Sequence, residues 1–131
     1  MKFILMMHVP RGTGDYEIFK WSQEDIQAHM KFLNEINADL RKNGQYVNVE
    51  GLAPPKHARI VRAGKDGTPE VTDGPFAETK EFLAGWWIID VENAEQAYAI
   101  AGRASAAPGP GGKVLNTPIE VRQVMAGPPE G

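Results

Sequence analysis

Two stretches of this chain, residues 3–9 and 82–91, are apolar on both sides of a β-strand. In the first, Phe3, Leu5, Met7 and Val9 alternate with Ile4, Met6 and His8; in the second, Phe82, Ala84, Trp86 and Ile88 alternate with Leu83, Gly85, Trp87 and Ile89. Successive side chains of a strand point to opposite faces, so a strand that is apolar on both must be covered on both. Each run is therefore read as a central strand. Residues 46–52 alternate only weakly, and in residues 119–125 Ile119, Val121 and Met125 oppose Glu120 and Arg122. These two read as outer strands.

Helices separate them. Ser22 followed by Asp25 is a variant capping box, after which Ile26, Met30, Leu33, Ile36 or Asn37, and Leu40 fall at helical spacing until Asn43-Gly44 supplies a stop. His29 lies one residue off that stripe and reads as a surface residue, and His57 as a solvated loop residue. Asn93 with Gln96 caps a second helix carrying Ala94, Ala97, Tyr98, Ile100, Ala101 and Ala104. Residues 58–62 and 70–72 flank Gly64-Lys65-Asp66-Gly67, a turn sequence suited to a hairpin. The Pro/Gly-rich residues 107–112 read as a mobile loop, and residues 126–131 as a frayed, flexible tail. Strand-helix-strand, hairpin, strand-helix-strand is an α+β order: a ferredoxin-like split βαβ fold with an inserted hairpin, in a single domain over residues 1–125.

Right-handed crossovers place both helices on one face of such a sheet. The other face would leave Trp, Ile and Met in water, at roughly 25 cal/mol per Å² of uncovered apolar area. A patch of that kind marks an interface. The expectation is a homodimer whose sheets face each other and enclose a cleft between subunits.

Several function classes drop out. The 131 residues contain no cysteine, which excludes thiol catalysis, cysteine-based zinc sites and disulfides and suits a cytoplasmic protein. The 14 Lys and Arg residues are scattered against 17 Asp and Glu, so nucleic acid is not an expected partner. No stretch approaches the ~20 apolar residues of a membrane span, and the apolar opening stops at His8, short of a signal-peptide core. The three histidines share no metal-ligand spacing, and no GxSxG, P-loop or GxGxxG motif is present. Neither metal nor cofactor is expected; Gly12-Thr13-Gly14 reads as a turn.

The working surface is expected at residues 73–81, Asp-Gly-Pro-Phe-Ala-Glu-Thr-Lys-Glu. Asp73 reads as the head of an Asx-turn, Gly74 permits unusual dihedrals and Pro75 fixes the next φ. Phe76 is an apolar anchor, and Glu78, Thr79, Lys80 and Glu81 set four polar side chains before a buried strand. The residues alone equally allow a tight turn with a solvated charge cluster.

That nine-residue run, together with Gly85, Ile89-Asp90-Val91, Glu50-Gly51-Leu52, Pro54-Pro55 and Val121-Arg122, resembles the signature of YCII-related proteins of the DGPF-domain type. The resemblance spans nearly the whole chain and implies a dimeric α/β-barrel, two ferredoxin-like subunits packed sheet to sheet. Members of the family are mostly of unassigned function, and many are encoded beside extracytoplasmic-function sigma factors. Better-understood relatives use a His-Asp pair in the inter-subunit cleft, and one is similar to a dehydrochlorinase of aromatic degradation. The resemblance matches Asp73 to the acid; it places the relatives' histidine on the first helix, nearer Leu33 than His29.

The expected protein is thus a small-molecule-binding or cofactor-free enzymatic homodimer acting on an organic ligand in the cleft. Asp73 is the acid, base or ligand anchor and His8 its partner, with Phe76, Glu78, Thr79, Lys80, Trp86 and Arg122 around them. His8 also reads as a strand-end residue bonded to backbone, and Glu120 with Arg122 as a surface ion pair. The alternative function is a non-catalytic regulatory module linked to an extracytoplasmic-function sigma factor.

Overall fold

In the computed structural model, residues 1–10, 17–74 and 80–127 are described. The elements are β1 (Lys2–Pro10), α1 (Gln23–Lys42), β2 (Tyr46–Gly51), β3 (Arg59–Ala63), β4 (Pro69–Asp73), β5 (Glu81–Asp90), α2 (Ala94–Ser105) and β6 (Ile119–Gln123). The main sheet has the order β2-β5-β1-β6, antiparallel throughout, and β3 and β4 form a separate hairpin. The two strands apolar on both faces are the central pair, as their sequence requires. The chain is α+β and ferredoxin-like.

The helix ends follow from local chemistry. The Ser22 hydroxyl accepts from the Asp25 N–H at 3.1 Å, and Asn93 accepts from the Gln96 N–H at 2.9 Å while Gln96 returns to the Glu92 N–H at 3.0 Å. α1 stops in a Schellman arrangement. Gly44 takes φ +69°, its N–H donates to the Arg41 carbonyl, and the Gln45 N–H donates to that of Leu40 at 2.8 Å.

Both helices pack on one face of the sheet. Phe3, Leu5, Trp87 and Ile89 meet Ile36 and Leu40 of α1, and Ala97, Ala101 and Ala104 of α2. The opposite face presents Ile4, Met6, Trp86 and Ile88, all partly exposed. The hairpin contributes nothing to the core: nine of its ten residues are exposed, only Ile60 being partly covered. No helix among the described residues is long and apolar enough to cross a membrane.

Two expectations are corrected. The buried stripe of α1 runs through His29, Ile36 and Leu40, with Leu33 partly covered, whereas Met30 is 43% exposed. Leu33, Ile36 and Leu40 lie on the covered face as expected, but residue 29 completes the 29, 33, 36, 40 repeat in place of Met30, so His29 is buried and not a surface residue. Residues 107–112 are not a loose loop. Ala107 and Gly109 are buried, Gly109 donates to the Lys113 carbonyl at 2.7 Å, and Gly111 donates to Asp25 at 3.3 Å.

Candidate functional site

The space between α1 and the sheet is filled at one end and open at the other. Phe3, Leu5, Ile89, Ile36 and Leu40 close the filled end. At the other end the sheet offers Ala84, Gly85 and Gly51, which have little or no side chain to reach the helix. Gly85 cannot be enlarged, because a Cβ there would stand 2.6 Å from the Glu50 carbonyl oxygen. A bulge in the β1–β5 pairing, with Met7 opposite Gly85 but His8 opposite Leu83, leaves Ala84 unpaired on β1. Its carbonyl instead accepts from the Leu52 N–H at 2.8 Å.

The result is a cavity of about 340 Å³, at the small end of ligand pockets. Its wall is mainly apolar: Met7, Val9, Val49 and Trp87 from the sheet, Leu33 from α1, and Ile18, Trp21 and Leu115 from other segments. Met30, exposed on the outer flank of α1, also borders it. The two buried polar residues among those described, His29 at 7% exposure and Thr117 at 3%, both line this cavity. Burying a polar group in an apolar setting is unfavourable unless it finds a partner.

His29 is held from two sides. Its Nδ1 lies 2.9 Å from the Pro108 carbonyl oxygen, and the Trp21 ring meets it edge-on with centroids 5.3 Å apart. The Trp87 indole N–H donates to the Asn37 side chain at 2.9 Å, fixing the floor of the cavity against α1. The Thr117 carbonyl accepts from the Ser105 hydroxyl at 2.7 Å, which ties that residue to α2. Among the described residues no group of three His, Asp or Glu side chains is placed to hold a metal ion. The geometry suits enclosure of an apolar molecule with one or two polar atoms.

Of the residues singled out in the sequence, Trp86 borders this cavity and the other described ones lie elsewhere. His8, Trp86 and Arg122 share the helix-free face of the sheet. His8 Nε2 is 2.9 Å from Glu120, so Glu120 pairs with His8 and not with Arg122. The Trp86 indole donates to Asn48 at 2.8 Å, while Trp87 is the tryptophan that packs beneath α1. Asp73 ends β4 with its side chain 95% exposed and 3.7 Å from Arg59, a pair of little energetic weight. The Asx-turn expected there cannot form, because the residue two positions on is Pro75, which has no N–H. Asp73 and His8 share no hydrogen bond. Lys80 is exposed at the approach to β5, and Phe76, Glu78 and Thr79 lie outside the described residues. His29 was missed because it is polar and adjacent to an apolar Met30; its alignment with Leu33, Ile36 and Leu40 was the available signal.

The YCII-related domain matches residues 1–115, and the chain belongs to that family. It is 35% identical over 81 residues to the uncharacterized protein R00369 of Rhizobium meliloti (strain 1021), a match covering 62% of this chain and 64% of that relative.

Proposed function

We propose that this YCII-related protein is a small-molecule-binding or cofactor-free enzymatic homodimer, with its ligand in the cavity between α1 and the sheet. One observation carries the reading: a largely apolar cavity of about 340 Å³ gathers both buried polar residues, His29 and Thr117, onto its wall. Its rim includes the exposed Met30, Glu50 and Gly51, so the space is open to an entering molecule. The helix-free face, with Ile4, Met6, Trp86 and Ile88, supports pairing of two sheets, and the cysteine-free sequence suits a reducing cytoplasm. The His8–Glu120 pair and Arg122 would then border the cleft between subunits.

Calorimetric titration with 2-methoxynaphthalene tests the cavity. Gly51 lies on its wall, and a Cβ there meets nothing within 4 Å, so Gly51→Leu adds apolar bulk at the wall with no clash at its first atom. The expected result is saturable binding by the native protein, weakened at least about tenfold in Gly51→Leu at unchanged melting temperature. Absence of binding, or binding indifferent to Gly51→Leu, overturns the reading. A regulatory partner of a sigma factor predicts that indifference to small molecules.

A further inference from the structure

Resting on the cavity as the ligand site, we infer that its ligand is a neutral aromatic hydroxyl compound whose O–H donates to Nε2 of His29. The Pro108 carbonyl can only accept, so the hydrogen bond at 2.9 Å requires Nδ1 of His29 to carry a hydrogen. A neutral imidazole has one N–H, which leaves the lone pair on Nε2. Nε2 has no hydrogen-bond partner among the described residues. Among the described residues no buried side-chain nitrogen or oxygen is both sealed from solvent and unpartnered. Nε2 therefore opens onto space, and the space His29 borders is the cavity. The same holds for the Thr117 hydroxyl, which can accept or donate. Two residues more than nine-tenths buried thus line the cavity with unused hydrogen-bonding capacity.

The wall also sets the charge of the ligand. Its described residues include no Lys or Arg, so among them an anion would find no counter-charge. Its one acidic residue among those described, Glu50, accepts from Asn48 on the other face of the sheet. The Trp21 and Trp87 rings with Leu33 favour a flat apolar body. Binding needs no bond breaking: the ligand keeps its O–H and Nε2 accepts it.

The test compares 2-naphthol, 2-methoxynaphthalene and 2-naphthoate by calorimetry. Naphthol is expected to bind about tenfold more tightly than its methyl ether, because only naphthol can donate. His29→Asn keeps a donor near the Nδ1 position for Pro108 but has no acceptor at Nε2, so it should bind both equally and retain its affinity for the ether. A nitrogen NMR signal of Nε2 that moves upfield with naphthol and stays with the ether tests the same bond in the native protein. Ether binding with no preference for naphthol sinks this inference while leaving the cavity reading intact. So does a preference that survives His29→Asn, or tightest binding of naphthoate. If the ether itself does not bind, the cavity reading fails and this inference with it.

Discussion

Nδ1 of His29 lies 2.9 Å from the carbonyl oxygen of Pro108, joining α1 to the segment after α2 across 79 positions of sequence. That bond orients the imidazole and pins a Pro/Gly-rich stretch against the helix. It makes one residue part of both the fold and the cavity wall.

His29→Ala should therefore destabilise the protein by about 2 kcal/mol, from lost packing and an abandoned buried carbonyl. His29→Asn, which keeps a donor for Pro108, should cost less than half as much. Chemical denaturation of the two variants checks the order; equal losses would show that the hydrogen bond contributes nothing.

Gly85 and Gly51 sit opposite each other in the β2–β5 pairing but should respond differently to a methyl group. At Gly85 the new Cβ would meet the Glu50 carbonyl oxygen at 2.6 Å, so the strands must part. Gly85→Ala is expected to cost about 2 kcal/mol or more. At Gly51 nothing lies within 4 Å, and Gly51→Ala should change stability by less than about 0.5 kcal/mol. Thermal melts of both substitutions provide the comparison.

The helix-free sheet face should hold two copies together. Light scattering at micromolar concentration is expected to give a dimer for the native chain and a monomer for Ile88→Asp, which sets a carboxylate amid Ile4, Met6 and Trp86. A native monomer would remove the dimer from the account.

In the hairpin turn, the Asp66 carboxylate accepts from the Thr68 N–H at 3.0 Å, and this bond lowers its pKa below the ordinary 3.8. A depressed folded pKa means that the stabilisation is present above the unfolded value and fades as pH falls through the folded one. Carboxyl NMR titration should show Asp66 ionising below 3.8, and Asp66→Asn should narrow the stability difference between pH 5 and pH 2, values taken as roughly bracketing carboxylate titration. An Asp66 midpoint at or above the ordinary value would contradict this.

The fold was legible where the information is local or periodic. Ser22 with Asp25 and Asn93 with Gln96 mark helix starts by their own hydrogen bonds, and double-sided apolarity identifies β1 and β5 as central. The site was less legible because it depends on contacts far apart in sequence. No composition signal in residues 107–112 announces that Pro108 meets His29 or that Gly111 meets Asp25. The stripe of α1 was read correctly at Leu33, Ile36 and Leu40, but its N-terminal member was taken as Met30 because Met30 is apolar and His29 is not. The 73–81 run marks the family, yet Asp73 stands in solvent beside Arg59.

The most direct measurement is a crystal structure of the protein soaked in 2-bromonaphthalene, with the bromine located by anomalous scattering. The account predicts a peak between α1 and the sheet, enclosed by Leu33, Val49 and Trp87 and near His29. A cavity without bromine, with the peak instead on the open sheet face beside His8 and Trp86, would contradict it.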